Sequence, residues 1–132
     1  MRTIDQLTAE QRDAIVDHIA SLCHEAIRTY NEAEGVYIPA WQVLKVHQKR
    51  ESKEGVIWYL DNWDATAADS HNAWVDRKTA KGWIKADKKD TGEKTHPALE
   101  DFSLISETDQ RKEHVFRCMV NAIIKDFLRK IH

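Results

Sequence analysis

Glycine and proline are scarce, at four and two of 132 residues. So few turn-formers leave little material for a many-turned β-sandwich and none for a flexible linker, which points to helices. Cysteine is almost as rare. Cys23 and Cys118 lie far apart within apolar helical patterns, so both read as free, buried thiols of a reducing compartment. No apolar run approaches about 18 residues, so no helix reads as spanning a membrane. The opening MRTIDQLTAEQ lacks the apolar stretch of a secretory signal, and the expectation is a cytoplasmic protein. Neither charge dominates: 20 basic against 22 acidic residues give a net −2, which argues against a dedicated binder of nucleic-acid polymers. There is no G-x-S-x-G, no H-E-x-x-H and no phosphate loop. No catalytic residue, metal or cofactor is therefore expected. His114 and Cys118 have the i, i+4 spacing of two metal ligands, without an evident third. Asp61, Asp64 and Asp69 precede or open a helix and read as caps.

What remains is a chain of one domain, residues 1–132, long enough for its own core. The fold class read from the patterning is mainly α, with four principal helices and a small two-stranded β element. Thr8 followed by Gln11 makes a capping box, and apolar residues from Ile15 to Tyr30 then recur at steps of three and four. This predicts an N-terminal helix over about 8–34, ended near Gly35. Pro39 suits the first turn of a second helix; whether 39–60 is one helix or two is open. Asp64 or Thr66 caps a third helix, and Gly82 ends it. Trp83 to Ala86 reads as a short strand, and Pro97 keeps Thr95 to Leu99 extended. Ser106 begins the last helix. Its stripe of Phe116, Val120, Ile123, Ile124 and Phe127 is expected to be buried against Ile15, Ile19, Leu22 and Ile27.

The informative stretch runs from Ser70 to Phe102. It opens as H-x-x-W-x-x-x-K-x-x-x-G-W from His71 to Trp83 and continues as K-x-H-P-x-L from Lys94 to Leu99. The i, i+3, i+7 spacing puts His71, Trp74 and Lys78 on one helical face. A turn at Gly82 returns Trp83 beside that face, and the segment held by Pro97 aims Lys94 and His96 at it. A single Trp with apolar neighbours is ordinarily core. A core face, however, rarely sets a Lys head and an imidazole beside its main aromatic. Between Asp76 and His96, seven basic residues face four acidic ones, a local +3 in an acidic protein. Aromatic rings beside cations can stack on a planar group and neutralise an anion. The expected ligand-binding residues are His71, Trp74, Lys78, Trp83, Lys94 and His96, lining one cavity.

This arrangement resembles the RyR domain, the repeat of the ryanodine receptor calcium channel, in its stand-alone bacterial and phage form. The resemblance is carried by His71, Trp74, Lys78, Gly82, Trp83, Lys94, His96, Pro97, Leu99, Asp101, Phe102 and Leu104. Trp41 and the GVIWYLDNWDAT stretch from Gly55 add to it, so that it covers about 41–128. Relatives often follow Gly-Trp with an aromatic and a glycine, where this chain has Lys85 and Ala86.

The resemblance implies a mostly helical, non-catalytic module and a ligand derived from a nucleotide, in phage or bacterial signalling or defence. Trp74 and Trp83 would stack on the base, Lys78 and Lys94 would meet phosphate, and His71 and His96 would donate hydrogen bonds. The alternative is a protein–protein interaction module using the same Trp/Lys surface. A homodimer is also expected, because the channel's repeats are paired and the last helix is apolar over more width than one neighbour covers.

Overall fold

Thr8 starts the first helix by the reciprocal bonds its sequence announces. The Gln11 N–H donates to Thr8 Oγ1 at 3.1 Å and the Thr8 N–H to Gln11 Oε1 at 2.9 Å. In the structure, a computed structural model that describes residues 7–62 and 64–130, this helix is α1, Ala9–Ala33. It ends at Gly35, whose φ of +79° lets the Gly35 N–H reach the Glu32 carbonyl and the Val36 N–H the Asn31 carbonyl. A 3-10 turn follows at Trp41–Val43, then α2 at Val46–Asp61. Pro39 does not open a helix as the sequence predicts. Its carbonyl is taken by the His24 ring, and the extended backbone of Ala40 and Leu44 bounds the turn on both sides. α2 runs unbroken through Ser52–Gly55. The third helix, α3, spans Ala67–Ala80, and the last, α4, spans Glu107–Lys130 after Ser106, whose Oγ accepts from the Asp109 N–H. Between them lie two short parallel strands, β1 (Ile84–Lys85) and β2 (Thr95–His96), and a 3-10 turn at Phe102–Leu104. The fold is mainly α.

The described residues gather into two compact units, 7–62 with 115–130, and 64–114. The first has the larger apolar core. Ile19, Cys23, Val56, Val120 and Ile124 are fully buried, with Ile15, Val16, Trp41, Tyr59 and Leu60 nearly so. Each large aliphatic side chain so buried is worth roughly 1.5–3 kcal/mol. α1 packs on α2, and the Cys23 thiol donates to the Phe116 carbonyl of α4. Gly55 sits where a Cβ would come 3.3 Å from the Phe116 ring, a reason for glycine in a helix interior. Three expectations need correction. Phe116, Ile123 and Phe127 are only half-buried, because the fully covered line of α4 is the narrower row through Val120 and Ile124. Leu22 is 37% exposed, since Ile19 and Cys23 take the inward side of α1 at that level. Cys118 is exposed, while burial pushes the Cys23 thiol up to about 12.

The second unit buries little: Ala67, Ser70, His71, Ala98, Leu99 and Ile105. Only two of these are large aliphatics, so hydrogen bonds carry much of its definition.

Candidate functional site

α3 positions most of the expected residues. Its N-terminus is a capping box in which the Asp69 N–H donates to Thr66 Oγ1 at 3.1 Å and the Thr66 N–H to Asp69 Oδ2 at 3.0 Å. The bond from the Thr66 backbone, then that to its side chain, holds the Asp69 carboxyl below its ordinary range. With the helix so phased, His71 and Trp74 lie with ring centroids 5.4 Å apart.

The helix ends in a Schellman turn. Gly82, at φ +89°, donates to the Thr79 carbonyl, and Trp83 donates to that of Lys78. This folds Trp83 back, and the Lys78 ammonium sits 4.1 Å over its ring, within cation–π range. The chain then enters β1. The loop 86–94 reverses through a bridge between Asp90 and Thr95, with Asp90 Oδ1 accepting from the Glu93 N–H. β2 comes back parallel to β1, Ile84 opposite Thr95 and Lys85 opposite His96. That pairing brings the His96 ring edge-on to Trp74, 5.0 Å away at 77°.

Lys94 adopts φ +56°, the left-handed region that L side chains avoid. From there its ammonium donates to the Lys81 carbonyl at the end of α3, at 3.1 Å. The Ala98 N–H donates to His96 Nδ1 at 3.0 Å, so in the neutral ring the proton is on Nε2. His71 is 2% exposed, and its Nε2 donates to the Glu100 carbonyl at 2.9 Å. It supports the face from below, its donor spent on the protein.

The six residues therefore fall into joined groups around α3. His96, Trp74 and His71 form a line of ring contacts. Lys78, one turn beyond Trp74, covers Trp83, and Lys94 sits on the final carbonyl. Trp74, Lys78, Trp83 and His96 are half-buried and Lys94 is exposed. The sequence reading missed three supports. Asn72 donates to Asp101 Oδ1 and accepts from the Phe102 N–H, tying α3 to the turn after Glu100. Phe102 extends the ring line, 6.0 Å from His71 and 5.8 Å from His114. Glu113 approaches His71 from α4. A D-x-S step at Asp101 was the available signal for the turn, since Ser103 N–H and Oγ–H both donate to Asp101 Oδ2. Those bonds, the side-chain one first, depress the Asp101 carboxyl. Among the described residues no three His, Cys, Asp or Glu side chains group to hold a metal ion, and no helix is long and apolar enough to cross a membrane.

A family model of the RyR domain matches residues 59–129, which include the whole of α3, both strands and all six residues. The chain belongs to the RyR domain family. The matched region begins after Trp41. Trp63, within the Gly55–Thr66 stretch, lies outside the described residues. No curated protein matches the chain.

Proposed function

We propose that this RyR domain is a non-catalytic binding module for an anionic, nucleotide-derived small molecule. The observation that carries the reading is the Lys78 ammonium held 4.1 Å over the Trp83 ring, beside the Trp74–His96 edge pair. A planar base stacks on an indole, and a cation already at that indole meets the phosphate of the same molecule. Lys81, Lys85 and Lys94, exposed on the same unit, add to the anionic preference. His71 acts beneath the face, and His96 orients Trp74. In this reading the protein is a cytoplasmic sensor in phage or bacterial signalling or defence, and a homodimer through the half-buried row of α4.

The test is native mass spectrometry of the protein purified from cell extract, followed by calorimetry with nucleoside mono-, di- and triphosphates, cyclic nucleotides and ADP-ribose. Retained mass and heat with one of them, both lost in Trp83→Ala, support the reading. No heat across the panel sinks it. Exposed Ile84 and Leu104, 63% and 67% accessible in the same unit, favour the second reading, a protein partner anchored by the tryptophans. In that case a partner protein binds the wild type and not Trp83→Ala, with no small molecule retained.

A further inference from the structure

His71 is the one buried titratable side chain among the described residues of the second unit. Three pieces of chain meet on its ring. α3 carries it, with Trp74 at 5.4 Å. The 98–102 segment supplies the Glu100 carbonyl at 2.9 Å from Nε2 and the Phe102 ring at 6.0 Å. The first turns of α4 supply Glu113, whose Oε1 stands 3.8 Å from Nδ1. A carbonyl only accepts, so Nε2 carries the proton of the neutral ring and Nδ1 is then a lone pair. That lone pair faces a carboxylate, which also only accepts. Two acceptors are opposed, at a distance beyond hydrogen-bond range. Adding a proton at Nδ1 reverses this: the ring becomes a cation and a donor, and the same approach becomes a charge-assisted bond.

We propose that His71 and Glu113 form a proton-operated latch, open when the ring is neutral and closed when it is protonated, joining α3 to the first turns of α4. The surroundings single out Glu113 as the operative group. Glu100 turns its carboxylate to Lys85 at 3.4 Å, and Asp101 is held by Ser103 and Asn72. His96 stands against the Trp74 ring and His114 against the Phe102 ring, the two aromatic rings that flank His71. Burial is the largest single influence on the His71 ring and pulls its pKa down. Glu113, the Glu100 carbonyl and the Ala98 backbone together outweigh it and raise the pKa above the ordinary 6.5. A raised folded-state pKa stabilises fully below 6.5, and that contribution is lost as pH rises through the folded value. The latch is independent of any ligand.

The experiment is a pH titration of the ring nitrogens of His71 by NMR on the full chain, with amide protection factors for residues 107–114 on both sides of the midpoint. The expected midpoint lies above 6.5. Glu113→Gln, a change at a side chain 27% exposed, moves it downward. Protection of 107–114 is higher on the acid side in the wild type and equal on both sides in Glu113→Gln. A midpoint at or below 6.5, a midpoint unmoved by Glu113→Gln, or equal protection across the wild-type transition overturns the proposal.

Discussion

Each unit holds a tryptophan with a lysine ammonium over its ring, and the two rings are covered differently. In the first unit Trp41 has the His24 ring at 5.8 Å and the Lys49 ammonium at 5.6 Å. Its polar neighbours are consumed locally. The Trp41 N–H donates to Glu25, which also takes Arg28, and Arg28 donates to the Ile38 carbonyl. His24 bonds the Pro39 carbonyl, and Trp41 is left 8% exposed. In the second unit Trp83 stays half-buried, with its cation closer, at 4.1 Å. The same residue types thus make a staple in one place and a presented surface in the other. What separates them is cover: Trp41 is closed over by its neighbours, while Trp83 keeps part of its ring accessible.

The largest effect that would break this contrast is in stability. Trp41→Ala is expected to cost about 3–5 kcal/mol, the range for deleting a buried aromatic. Trp83→Ala removes a half-covered ring and is expected to cost well under half of that. Urea unfolding of both variants measures it, and equal losses would mean that Trp83 too is a staple.

Binding should invert the order. With a nucleotide that the wild type retains, Lys78→Ala is expected to weaken binding by roughly 1.5–3 kcal/mol, as for a lost bond to a charged group. Trp83→Ala is expected to lose roughly 1–3 kcal/mol of stacking. Lys49→Ala, at the staple, should leave affinity unchanged. Calorimetry on the three variants decides, and a loss at Lys49 matching that at Lys78 would erase the distinction.

The contrast also explains how far the sequence could be read. The starts of α1, α3 and α4 were legible because caps are local: Thr8 with Gln11, Thr66 ahead of Asp69, and Ser106 each bond within three residues. The return of Trp83 was legible for the same reason, since the Gly82 turn closes on Lys78 and Thr79. The covered width of α4 was not, because a period of three and four marks a face and not how much of it a neighbour will cover. Nor was the pairing of His71 with Glu113 or with the Glu100 carbonyl. These contacts join residues far apart in the chain, and nothing at either end announces the other. His71 consequently read only as a ligand contact, with no sign of its burial or of its bond to the Glu100 carbonyl.

Acidity sharpens the comparison further. The Glu25 carboxyl lies below its ordinary 4.5, chiefly through the Trp41 N–H and then Arg28. Its support is present above 4.5 and is lost as pH falls through the depressed value. The His71 contribution has the opposite sign, present in acid and lost toward alkaline pH. Wild type should therefore exceed Glu25→Gln in stability at neutral pH, with the gap narrowing below 4.5. Unfolding midpoints across a pH series measure this. A gap that widens on acidification would show that Glu25 is not held by the Trp41 staple.

The smallest expected effect concerns Lys94, and it needs two variants to be seen. Gly92 is the residue in this loop best suited to a left-handed backbone, yet the positive φ, +56°, falls on Lys94. A non-glycine residue there costs roughly 1–2 kcal/mol. Its ammonium bond to the Lys81 carbonyl returns about 0.5–1.5 kcal/mol. Lys94→Ala keeps the strain and loses the bond, so it should destabilise by about that second amount. Lys94→Gly loses the bond but also releases the strain, so it should be close to neutral. The difference between the two variants, read by urea unfolding, measures the strain less the extra freedom of glycine in the unfolded chain. If the site takes an anion, both variants should weaken nucleotide binding alike, since both lack the ammonium. A glycine variant that is neutral in stability and weakened in binding would mean that the Lys94 ammonium serves the ligand more than the fold. One that binds as well as wild type would reduce Lys94 to a cap on α3.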